Sequence, residues 1–144
     1  MGLDMFLKAR RYLRYDDDRR NSLREEFKVP DGWETTEISF EVGYWRKANA
    51  IHKWFVDNIQ SGNDNCGEYY LSKVDLESLR DLCLQVKAEP DKAQDLLPAQ
   101  SGFFFGSTEY DEGYFHDIDQ TIAIVDSVLN CEDTGFDYFY SSSW

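Results

Sequence analysis

Residues 43–54 read Gly-Tyr-Trp-Arg-Lys-Ala-Asn-Ala-Ile-His-Lys-Trp, which places three aromatics, three cations, an Asn and a His within twelve positions. Polar groups crowded beside large rings line a pocket or brace a corner of a fold. Tyr44, Arg46, Lys47 and Asn49 form a candidate ligand-binding set. They fall where a strand pattern turns into a helix pattern, and the first turn of a helix presents unpaired N–H groups to an anion. The same residues have a plainer use. Arg46 can pair with one of the many carboxylates, or lay its stem over Trp45.

A second constellation is His52, Cys66 and Cys83. Zinc takes neutral imidazole and thiolate in four-coordinate sites. These three could converge on one Zn²⁺ if the two helices that carry His52 and Cys83 lie side by side, with Asp64, Asn65 or Glu68 as a fourth ligand. The spacing is not the C-x-x-C of a zinc finger. The alternative is that Cys83 is a small core residue and His52 a hydrogen-bonded one at the edge of an apolar stripe. Cys66 with His52, oriented by Asn49 or Asn65, would be a nucleophilic pair. No local signature supports that pairing, and neither a phosphate loop nor a nucleophile elbow is present. The chain offers no complete set of acid, base and nucleophile, which weighs against an enzyme.

The elements that must position these residues follow from periodicity. Residues 3–9 read as a first strand, and residues 10–35 as a charged loop, solvated helix or insertion, with Asp16–Asp18 beside Arg19 and Arg20. Ile38, Phe40 and Val42 alternate with Glu37, Ser39 and Glu41, a strand with one wet face. Ala50, Ile51, Trp54, Phe55 and Ile59 recur at helical spacing, so residues 47–59 are expected to be an amphipathic helix. Residues 68–71 can pair briefly. Ser72 with Asp75 approximates a capping box ahead of a second helix, whose stripe is Leu76, Leu79, Leu82, Cys83 and Val86, closed by Pro90. Residues 91–97 read as a short helical turn. Residues 102–106, Gly-Phe-Phe-Phe-Gly, read as a buried strand, and Phe115, Ile118, Ile122, Val125 and Leu129 as the stripe of a third helix. A last strand follows Gly135. The expectation is one α+β domain over residues 1–144, a small mixed sheet with about three helices on one face.

Length and composition agree with a single cored domain: 144 residues, 42% hydrophobic and 16% aromatic. No apolar run approaches a membrane span. Met1-Gly-Leu-Asp-Met lacks the layout of a signal peptide, and Phe6 stands where N-myristoylation wants Ser or Thr. Three widely spaced cysteines suit a reducing compartment, so a soluble cytoplasmic protein is expected.

The charge carries more information. The net charge is −13, and residues 93–144 hold ten acidic residues and no Lys or Arg. Phosphate backbones repel such a surface, so direct nucleic-acid binding is not expected. The acidity serves solubility, or it docks on a basic groove of another protein. Glu109, Asp111, Glu112, Asp117 and Asp119 are the candidate partner-binding residues.

Met1-Gly-Leu-Asp-Met, residues 43–56, Cys66-Gly-Glu-Tyr-Tyr, residues 101–111 and the closing Ser142-Ser143-Trp144 resemble a family of small, uncharacterised phage and prophage proteins. The resemblance covers nearly the whole chain, with residues 10–35 as its variable part, and it transfers no catalytic residues. By size, charge and kind, such a protein is similar to anti-CRISPR and other anti-defence proteins. That implies an inhibitor of a nucleic-acid-handling host defence protein, such as a CRISPR nuclease. The alternative is a pocket protein that binds or processes a small, nucleotide-like phosphorylated ligand.

Overall fold

The computed structural model describes residues 2–144; Met1, which opens the first motif, lies outside them. Four strands make one sheet: β1 (Asp4–Tyr12), β2 (Glu37–Arg46), β3 (Tyr69–Leu71) and β4 (Asp137–Ser143), in the order β2-β1-β4-β3. Every pairing is antiparallel. The α+β class is as expected, but the sheet is antiparallel throughout rather than mixed.

The sheet has a dry face and a wet one. Met5, Leu7 and Ala9 alternate with half-buried Phe6, Lys8 and Arg10 along β1, and Trp45, Tyr138 and Tyr140 are buried on the same side. Three helices close that side with it into one core: α2 (Asn49–Asn58), α3 (Lys73–Ala88) and α5 (Glu112–Leu129). Trp45 reaches from β2 to α5, its indole donating to Thr121 Oγ1 at 2.9 Å. Gly43 allows this close approach. A Cβ there would lie 2.6 Å from Ile124 Cγ2 on α5, well inside van der Waals contact. Next to it, the β1–β2 register shifts between Leu7 and Lys8, leaving Val42 as the extra residue of a bulge.

Several local expectations hold. Ser72 and Asp75 form the capping box of α3, with both hydrogen bonds present, and Cys83 is fully buried. Residues 69–71 pair as β3, and residues 90–96 form a 3₁₀ turn running into the short α4 (Ala93–Leu96). The helix expected from residue 47 starts at Asn49, because Lys47 has φ +57° and donates its N–H to the Leu3 carbonyl instead.

Two further expectations are corrected. β1 runs three residues into the stretch read as a charged loop, solvated helix or insertion. Arg10 is comfortable there because its guanidinium makes a two-pronged bond with Glu68, at 2.7 and 2.9 Å, and lies 4.4 Å from the Phe139 ring centre. The rest of that stretch holds α1 (Arg19–Phe27), a helix with no buried residue, which is the solvated helix among the expected readings. Residues 102–106 are a turn and not a buried strand: Phe105 N–H bonds back to the Gly102 carbonyl, Phe105 points inward, and Phe103 is 94% exposed. Among the described residues no helix is long and apolar enough to cross a membrane.

Candidate functional site

α2 runs behind a hollow of about 640 Å³ and supplies His52, Lys53, Val56 and Asp57 to it. The loop after α2 adds Gly62 and Asp64. The turn at 100–105 adds Phe103, Phe104 and Phe105, and Trp144 closes the side. The volume lies within the range that holds a small organic ligand or a few side chains.

A hydrogen-bonded chain forms the back wall. His52, fully buried, has Nδ1 2.6 Å from the Tyr140 hydroxyl and Nε2 3.0 Å from Asp64 Oδ2. The Trp144 indole N–H donates to Asp64 Oδ1 at 3.0 Å. A carboxylate only accepts, so Nε2 carries a proton; in the neutral ring Nδ1 is then bare and accepts from the Tyr140 hydroxyl. Every donor in the chain thus points toward Asp64. Tyr140 stacks on Phe55, ring centres 3.9 Å apart and planes at 7°. Burial pushes its hydroxyl pKa well above the ordinary tyrosine value. The order of groups resembles a nucleophile–His–Asp relay, but the hydroxyl in the nucleophile's place is fully buried, where a substrate does not reach it. The chain braces the wall and presents Asp64 to the hollow.

The expected ligand set divides. Arg46, Lys47 and Asn49 line a second hollow of about 280 Å³ where the N-termini of α2 and α5 meet, together with Glu109, Asp111 and Asp117. Tyr44 instead lies on the open sheet face beside Phe6 and donates to Asp4 Oδ1, which also takes Arg46 at 2.8 Å. The Tyr44 hydroxyl first, and Arg46 after it, hold the Asp4 carboxyl below its usual pKa. Asn49 is buried and occupied: Nδ2 donates to the carbonyls of Phe105 and Ser107 at 2.9 and 2.8 Å, and Oδ1 accepts from Gln100 N–H at 3.0 Å. It clamps the aromatic turn to α2. A phosphate in this second hollow would meet three carboxylates.

The expected partner-binding acids also have separate roles. Asp111 caps α5 by accepting from Tyr114 N–H, Glu112 stands in the first turn, and Asp119 pairs with Lys87 at 2.7 Å. Burial pushes the Asp117 carboxyl up to about 6. An acid whose folded pKa is raised is penalised when ionised. The penalty is complete above about pH 6 and gone below about pH 4. Asp117→Asn is therefore expected to stabilise the protein by about 1 kcal/mol near neutral pH, allowing for partial solvent screening, and to have no effect near pH 4. Urea unfolding at the two pH values checks this; an equal gain at both would assign it to something other than ionisation.

For zinc, the three expected ligands have different surroundings. Cys66 is exposed, Cys83 lies in the core with its thiol pushed up to about 12 by burial, and both His52 nitrogens are engaged. Among the described residues, no three His, Cys, Asp or Glu side chains gather as a metal-binding group. Nor does any hydrogen bond join His52 to Cys66; its partners are Tyr140 and Asp64. Sequence reasoning named His52 but missed Tyr140, Phe105 and Trp144, and saw Asp64 only as a spare ligand. Tyr140 is 88 residues from His52, and no local pattern marks the pair. No protein-family model matches the chain, and neither does any curated protein or solved structure.

Proposed function

We propose that this chain is a binding protein that docks on a basic, nucleic-acid-handling protein and blocks its nucleic-acid groove, with the aromatic hollow as its anchor point. The observation that carries this reading is Phe103, 94% exposed at the tip of a turn that Asn49 clamps in place beside the hollow. A large ring held in water on a braced turn is a ready-made interface anchor, since little ordering is needed when it is buried. The charge supports the sign of the partner: at −13 overall, with no Lys or Arg from residue 93 onward, the chain is attracted to basic surfaces. A groove that binds nucleic acid is such a surface. Within that class, a host defence nuclease such as a CRISPR effector is the target to which the sequence resemblance points.

The test measures nucleic-acid binding by a panel of CRISPR and other defence nucleases with and without the protein. Inhibition of at least one member is expected, weakening as salt rises. Phe103→Ser should reduce that inhibition at least about tenfold, as loss of a central aromatic anchor does. It should leave the thermal unfolding midpoint in place, because the ring is in water. No inhibition across the panel, or inhibition that ignores both salt and Phe103→Ser, overturns the proposal.

A further inference from the structure

Resting on that docking reading, we propose that the hollow takes an arginine side chain of the basic partner, its guanidinium on Asp64 and its stem along the aromatic wall. The charges of the lining decide the sign of the guest. Lys53 and Asp57 neutralise each other at 2.6 Å. Both His52 nitrogens are already engaged, Nε2 with Asp64 and Nδ1 with Tyr140, so the ring offers a guest no free nitrogen. Asp64 is then the carboxylate of the described lining that has no Lys or Arg partner. Its side chain is 27% exposed, so it is reachable yet partly withdrawn from water, where a charge pair is worth more than on an open surface.

Asp64 also has capacity to spare. Each oxygen accepts one N–H in the structure, from His52 and from Trp144. A carboxylate offers roughly four acceptor sites, so about two remain. These two suit the paired N–H groups of a guanidinium, which bind a carboxylate in a fork.

The walls argue for arginine over lysine. Phe105 stands edge-on to both His52 and Trp144, with ring centres 5.2 and 6.1 Å away, and Phe104 and Phe103 continue the wall outward. A flat, weakly hydrated guanidinium stacks on such rings, whereas a compact ammonium keeps its water. The hollow is larger than a single side chain, which leaves room for the residues flanking the arginine.

The probe is N-acetyl-arginine amide, with N-acetyl-citrulline amide as its neutral isostere. Binding is read by ¹H–¹⁵N NMR at the indole N–H of Trp144, which is bonded to Asp64. The arginine compound is expected to shift that signal, with the citrulline compound at least about tenfold weaker. Asp64→Asn is expected to bring the two compounds level. Equal binding of both by the unmodified protein overturns the arginine assignment, and that comparison decides even if Asp64→Asn fails to fold. If neither compound binds while Phe103-dependent inhibition of a nuclease persists, the arginine anchor falls and the docking reading stands. If the arginine compound binds but no nuclease is inhibited, the guanidinium site stands and the docking reading falls.

Discussion

His52→Ala is expected to lower the unfolding free energy by about 4 kcal/mol. Part of the loss is a cavity in a tight aromatic cluster, since the ring packs edge-on against Phe105 and close to Tyr140. The rest is the Tyr140 hydroxyl, buried and stripped of its imidazole partner, with the Ser142 side chain as its remaining polar neighbour. Tyr140→Phe separates the two contributions. It keeps the rings and removes only the donor to Nδ1, so about 1–2 kcal/mol is expected from it. Urea denaturation of the three proteins, followed by fluorescence and circular dichroism, measures both. A loss below about 1 kcal/mol for His52→Ala would show that the Tyr140–His52–Asp64 chain does not brace the wall.

The second large effect is expected from Asn49→Ala, at about 3 kcal/mol. The amide satisfies two carbonyls and one N–H of the 100–107 segment. Truncation leaves those backbone groups without their partners at a buried position, at roughly 1 kcal/mol each. The damage should be local as well as global. Hydrogen exchange at the Gln100 amide is expected to accelerate well beyond the change in global stability, because that N–H loses its acceptor. Uniform acceleration, with Gln100 tracking the core strands, would mean that the side chain is not a clamp. Because the clamp holds the turn that presents Phe103, this variant should also weaken docking without touching the partner.

The elements that the sequence disclosed are those whose apolar residues repeat against a polar background. α3 and α5 follow from Leu76, Leu79 and Cys83, and from Ile118, Ile122 and Val125, with helix periods too long to mistake for strands. The stretch Gly102-Phe-Phe-Phe-Gly106 deceived for the opposite reason. Three consecutive rings have no period, so composition alone suggested burial, while the structure turns Phe103 outward and Phe105 inward. β1 outran its expected end because Arg10 and Arg11 read as solvent-seeking. Their charges are met by Glu68 and Asp133, which lie 58 and 122 residues away.

The site was half visible in the same way. His52 and Asn49 drew notice as polar residues within an apolar helix, and the structure adds that the Asn49 amide serves as a clamp. Their partners are set by tertiary placement: Tyr140 comes from the far side of the sheet's sequence, and Trp144 reaches Asp64 across 80 residues. Neither contact leaves a local trace. Tyr44 and Arg46, two residues apart on β2, share the open face and both bond Asp4, yet of the two only Arg46 at the strand's end also reaches the second hollow, a difference that no local pattern shows.

The strand order β2-β1-β4-β3 has a consequence for how the chain assembles. β1 and β4, from opposite ends of the described chain, lie side by side at the centre of the sheet, with Asp4 opposite Ser143. Among the described residues β3 pairs with nothing but β4. Until residues 137–143 arrive, β1 carries an open edge and β3 has no partner at all. The central pairing closes a loop of more than a hundred residues, so conformational search rather than local propensity sets the pace of folding. A nascent or partly unfolded chain exposes the inner edge of β1, with Met5, Leu7 and Ala9 beside it. That edge is where misassembly between chains would begin.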